Sequence, residues 1–136
     1  RYSIKLGIPF AEVATHNHFV LDRGGKVFKQ TAPVIKLPDG ATEDQHLQLL
    51  GVLNSSTACF WLKQVAHNKG STVDSHGARQ TQVPWEDFYQ FNSTKVGQFP
   101  VHARLPLERA RILDALGQEL IATSPASVVS AWCVDR

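Results

Sequence analysis

The sequence has no methionine, only two cysteines, and no apolar run long and unbroken enough to cross a bilayer. It opens RYSIKLGIPF, without the charged start and apolar stretch of a secretory leader. A chain that starts at Arg1 and carries no Met anywhere is expected to be a piece of a longer protein. Cys59 and Cys133 are too few for a disulfide framework, so a cytoplasmic location without a membrane partner is expected. Cys59 lies in an apolar stretch and is expected to be a buried small hydrophobe. A dominant charge is also lacking. Fourteen Lys and Arg stand against twelve Asp and Glu, a net charge of +2. The imbalance is local: residues 1–40 hold Arg1, Lys5, Arg23, Lys26, Lys29 and Lys36 against Glu12, Asp22 and Asp39. That is compatible with a polyanionic partner but far from a strongly basic signature. There is no internal repeat and no low-complexity segment. With 136 residues, 43% of them hydrophobic, the chain is long enough for one domain with its own core.

The dominant stretch is LQLLGVLNSSTACFWLKQVA, Leu47 to Ala66. It is apolar on nearly every side, the signature of a helix in the middle of a core. Asn54, Ser55 and Ser56 interrupt it with residues that favour caps and turns. Two helices are expected, the first closed by Asn54 in a left-handed conformation and the second capped by Ser55 or Ser56. Thr42 and Gln45 form a capping box that starts the first.

Around this pair the pattern is strand-like on the N-terminal side. Tyr2, Ile4 and Leu6 alternate with polar residues, and Ile8 to Thr15 reads as a second short strand. His18–Asp22 and Lys26–Leu37 are expected to form a hairpin about Gly24 and Gly25, with Pro33 on an edge. Asn68 to Pro84 is a polar connection without periodicity, of the kind usually functional or disordered. Trp85–Phe91 and Val96–Val101 read as strands. Pro106 then opens a helix with Leu107, Ala110, Leu113, Leu116 and Leu120 on its apolar face. The expected fold class is α+β: a small, mostly antiparallel sheet on a central helical pair, with a C-terminal helix leaving the domain. Residues 1–122 are expected to be the domain, and 123–136 the start of a further helical segment opened by Ser124 and Pro125.

Catalytic signals are missing. There is no HExxH, no GxSxG, no phosphate-cradling glycine loop, and no marked nucleophile–base pair. His16 and His18, two apart, share a face of a strand. Without a Cys, Asp or Glu at suitable spacing they read as a structural or solvent-facing pair rather than as metal ligands. Catalytic, metal and cofactor-binding residues are therefore expected to be none. Binding is better supported. Arg23, Lys26 and Lys29 cluster about one hairpin. Lys63, His67, Asn68 and Lys69 emerge together at the end of the second helix, and Arg79, Gln80 and Gln82 lie on the loop that follows. Such side chains grip phosphates or read the edges of guanine and adenine.

The run LLGVLNSSTACFWLKQ resembles the helix pair of target-recognition domains in restriction-modification proteins. FAEVATHNHFVLDRGGKVFKQTAPVIKL before it and FNSTKVGQFPVHARLPLERARILDALGQEL after it resemble the two remaining blocks of that module, in the same order. The resemblance spans almost the whole chain. It is closest to the TaqI-like specificity domain at the C-terminal end of adenine-specific DNA methyltransferases of the phage-growth-limitation (PglX) type. It implies a module that reads double-stranded DNA next to a catalytic domain of the same parent chain. That domain would use S-adenosylmethionine to methylate a flipped-out adenine at N6. Its glycine-rich cofactor motif and Asn-Pro-Pro-Tyr motif are not in this sequence, so no cofactor and no catalysis are expected of this piece. Leu53-Asn54-Ser55 and Phe91-Asn92 match the family pattern and read as structural. The alternatives are a specificity-subunit module of a multi-subunit restriction enzyme, a protein-interaction domain and, least favoured, a small hydrolase. An interaction domain would show an apolar outer face on the sheet or on the C-terminal helix.

Overall fold

Thr42 starts the central helical pair as its local chemistry dictates. Its hydroxyl accepts from the Gln45 N–H while the Gln45 side chain accepts from the Thr42 N–H, which satisfies two otherwise orphaned donors. The structure is a computed structural model and describes residues 6–24, 26–70, 87–125 and 127. Within them the order is β1 (Ile8–Pro9), β2 (Val13–Ala14), β3 (Val34–Ile35), α1 (Glu43–Leu53), α2 (Ser56–Val65), β4 (His67–Gly70), β5 (Phe88–Gln90), α3 (Ser93–Gly97) and α4 (Leu107–Ala122). The fold is α+β, as expected, with two small antiparallel sheets, β1-β3 and β2-β5-β4.

The break between α1 and α2 differs in detail. Asn54 is not left-handed (φ −88°, ψ 4°). Ser55 turns the chain instead, with extended backbone and a hydroxyl that accepts from the Ala58 N–H at 3.1 Å. This releases the Asn54 carboxamide for a tertiary role. Its Nδ2 donates to the Phe19 carbonyl at 2.8 Å and its Oδ1 accepts from the Phe19 N–H at 3.0 Å. One helix-break side chain thus pairs with an extended backbone as a neighbouring strand would. Asn17, itself buried, donates to the Leu53 carbonyl and satisfies another α1 end group.

The expected hairpin between His18–Asp22 and Lys26–Leu37 is not formed. Gly7–Phe10 lies between these segments and pairs with both. On one side Gly7 and Asp22 exchange two backbone hydrogen bonds, and Phe10 bridges Phe19. On the other Ile8 and Pro9 pair with Ile35 and Val34, which leaves Pro33 on an outer edge. The reason is burial. Ile8 and Phe10 belong to the core, so their segment takes the central position. Gly24 keeps the positive φ (99°) that the turn needs. The expected strand over Val96–Val101 is also absent: Asn92 caps α3, its side chain accepting from the Lys95 N–H at 2.9 Å, and Val96 is buried within that helix. β4 covers the first residues of what reads in the sequence as an irregular connection. Residues 1–5, 71–86 and 128–136 lie outside the described residues, and with them most of the expected first strand, most of that connection and most of the expected helical extension past 123, although Pro125 and Ser127 are helical and the Ser124 hydroxyl accepts from the Ser127 N–H (3.4 Å).

The core gathers Ile8, Phe10, Phe19, Leu47, Leu50, Leu53, Leu62, Phe91, Val96 and Ala110. α2 is less buried than its apolar sequence suggests. Ala58 and Leu62 face inward and Trp61 packs edge-on against Phe99, but Phe60 is 70% exposed. Cys59 is half-buried. α4 does not leave the domain, since it packs along α1. Its inward face is Leu107, Ala110, Asp114 and Gly117, so the row read from the sequence faces inward at Leu107 and Ala110 but not at its last three leucines. Small residues make this possible: a Cβ placed on Gly51 would lie 2.8 Å from the Ala110 Cβ. Leu113, Leu116 and Leu120 are 55–73% exposed as a result. No described helix is long and apolar enough to cross a membrane.

Candidate nucleic-acid interface

The cationic residues divide into those held by partners and those displayed. Arg23 is held. Its guanidinium donates to Glu43 Oε1 of α1 (2.7 and 3.0 Å) and to Asp114 Oδ2 of α4 (2.6 Å). The hydrogen bond to Asp114, ahead of that to Glu43, raises its pKa further. Arg23 thus ties the turn to two helices through its ion pairs with Glu43 and Asp114. Asn68 is likewise engaged. Its Nδ2 donates to Asp87 Oδ2 (3.1 Å) and its Oδ1 accepts from the Gly70 N–H (2.6 Å). These bonds shape the register irregularity between Asn68 and Gly70.

Lys69 sits at that irregularity and is exposed. Bulges commonly re-aim a side chain in this way. Lys63, on the last turn of α2, lies with its ammonium 5.1 Å from the centre of the Tyr89 ring. Such a contact holds the cation in place without neutralising it. His16 and His18 join this surface. Their ring centres are 4.1 Å apart and both are exposed. The His16 pKa is lowered, first by partial desolvation, then by the charges of His18 and Lys63. His67, also exposed, follows at the start of β4. Beside the β2-β5-β4 sheet, His16, His18 and Lys63 thus come together, while His67 and Lys69 are exposed on β4.

Lys26 and Lys29 lie elsewhere. With Lys36 they line a shallow cleft of about 450 Å³ whose lining includes no acidic residue. The Glu12 N–H donates to the Thr31 carbonyl (3.1 Å), which ties this lysine segment to the chain entering β2. The structure thus brings Lys26 together with Lys29 and adds Lys36; it sets Lys63 on Tyr89 and Lys69 at the β4 irregularity, and pairs Arg23 and Asn68 with carboxylates. Arg79, Gln80 and Gln82 lie outside the described residues. The histidine pair is the addition that sequence reading passed over as a site. Its two-residue spacing is visible, but its proximity to Lys63 depends on how β2 and α2 meet.

The described residues form no group of three or more side chains suited to a metal ion. A cleft of about 330 Å³ between Phe10, Leu49 and Val96 is lined chiefly by apolar side chains.

Fold and surface together define a small α+β domain with cationic surface patches. Over 122 residues, 89% of its length, the chain is 55% identical to adenine-specific methyltransferase PglX of Streptomyces coelicolor. The matched region is 10% of that protein, so the chain spans about a tenth of this relative's length. No family model matches the chain, and no solved structure does.

Proposed function

We propose that this chain is a DNA target-recognition module of an adenine-specific DNA methyltransferase of the PglX type, acting in phage defence or restriction-modification. The observation that carries the reading is the 55% identity to a tenth of such a methyltransferase, together with lysine-lined surfaces that suit a duplex backbone. In this account the catalytic domain, its S-adenosylmethionine site and the flipped adenine belong to other parts of the parent protein. This module contributes grip and register. Lys26, Lys29 and Lys36 on one side, and Lys63 and Lys69 on the other, neutralise phosphates, while Arg23 keeps the fold rigid beneath them. Arg79, Gln80 and Gln82 remain proposed contacts on sequence grounds, and the cytoplasm is the proposed location.

Charge reversal tests this directly. Lys29→Glu and Lys69→Glu should each weaken duplex binding about three- to tenfold at low salt, as expected for one lost phosphate contact. Unchanged affinity in both would remove the proposed interface.

α4 favours a second role alongside the first. Ile112, Leu113, Leu116, Leu120 and Ile121 are each more than half exposed on a single 16-residue helix. Rows of this kind mark protein contacts. In the proposed parent this face would pack against another folded part of the same polypeptide.

A further inference from the structure

The geometry points to His16, His18 and Lys63 as a phosphate-binding site that takes up protons as it fills. The inference deepens the DNA-recognition reading and rests on it for the source of the phosphate, a phosphodiester of the duplex backbone.

Two imidazoles 4.1 Å apart are a poor arrangement by themselves, because protonating one opposes protonating the other. Lys63 adds a third positive group. The titratable groups on the adjoining elements are Glu12 beside β2, Lys63 on α2, His67 and Lys69 on β4, and Asp87 and Tyr89 on β5. Those whose charge acts on His16 are His18 and Lys63. The two carboxylates are engaged elsewhere, Glu12 by Gln90 (2.9 Å) and Asp87 by Asn68 (3.1 Å). The cluster therefore concentrates cationic capacity that its described neighbours do not balance. A metal cation would be repelled by Lys63, whereas an anion would be attracted by all three groups. Thr15 Oγ1 lies 2.9 Å from His16 Nδ1, which leaves Nε2 as the nitrogen for a ligand. A phosphate oxygen between two imidazolium N–H groups and an ammonium would make charge-assisted hydrogen bonds. It would also reverse the sign of the local field, so bound phosphate opposes the lowering of the His16 pKa that the free cluster shows. By linkage, affinity rises as pH falls.

The test measures affinity of the full 136-residue chain for a labelled duplex at pH 6 and pH 8, at fixed salt. It is run for the wild type and for His16→Asn/His18→Asn. Histidine titrations followed by NMR, alone, with duplex and with inorganic phosphate, complete it. The wild type should bind about three- to tenfold more tightly at pH 6, since one unit of pKa shift corresponds to a tenfold change. The double variant should show a flat profile and, at pH 6, bind the duplex about three- to tenfold more weakly than the wild type. Both ligands should raise the pKa of His16. Salt-sensitive duplex binding with equal pH response in the two proteins, and histidine titrations that neither ligand moves, would overturn the site and leave the DNA reading standing. Inorganic phosphate shifting these histidines while no duplex binds would uphold the site and overturn the DNA reading. Because the NMR arm uses the wild type, a folding defect in the variant does not block the decision.

Discussion

Asn54 holds Phe19 by two hydrogen bonds, one to each backbone polar group, across 35 residues of sequence. The side chain at the break between α1 and α2 thereby fixes the extended segment that runs from the histidine pair to Asp22. Asn54→Ala should cost about 1–3 kcal/mol, because the buried Phe19 backbone loses both partners. Asn54→Asp should be no better, since a carboxylate can accept from the N–H but repels the carbonyl. Urea unfolding midpoints of the three proteins check this.

Gly51→Ala should destabilise, although alanine is the better helix former by about 1 kcal/mol. The new methyl would meet Ala110 at 2.8 Å and force α4 off α1, and overpacking of this kind costs about 1–3 kcal/mol. Ala110→Gly should partly rescue the Gly51→Ala protein, and a double-mutant cycle measures the coupling. Two independent effects that simply add would show that the helices do not approach so closely.

Arg23→Gln separates structure from binding. Arg23 is partly exposed, with a side chain 38% accessible. Losing its ion pairs to Glu43 and Asp114 should therefore cost no more than about 1 kcal/mol. Duplex affinity should stay within about twofold, since a held guanidinium releases few counterions. A tenfold loss of affinity without loss of stability would return Arg23 to the interface.

The free protein should also lose stability on mild acidification. The folded state holds His16 below its ordinary pKa, so the unfolded chain binds more protons as pH falls through the histidine range around 6.5. His16 therefore favours the folded state fully only above that range. Thermal midpoints at pH 7.5 and 5.5 should show a smaller drop for His16→Asn than for the wild type.

What could be read from the sequence was what neighbours along the chain decide. The Thr42–Gln45 box, the Ser55 cap, the break at Asn54 and the span of α4 are local chemistry, and each is found where its residues indicate. Strand order was not legible, because Gly7–Phe10 pairs with one segment 9–15 residues away and another 25–27 residues away along the chain, and burial rather than turn chemistry selects its place. The short helix α3, capped by Asn92, stands where β-branched Thr94 and Val96 suggest a strand. On α4 the last three leucines of the row misled. The face that packs is chosen by close approach at Ala110 and Gly51 and by the Arg23–Asp114 bond, and small or charged residues carry no hydrophobic signal. In the same way, the tying of Arg23 and Asn68 to partners depends on contacts across the fold.

The most direct measurement of the central claim is the affinity of the chain for duplex DNA between 50 and 200 mM salt. Five displayed lysines contacting phosphates predict a straight line of log affinity against log salt with a slope of about −3 to −5. No binding, or binding indifferent to salt, would contradict a role in gripping DNA and leave the apolar face of α4 as the surface to explain.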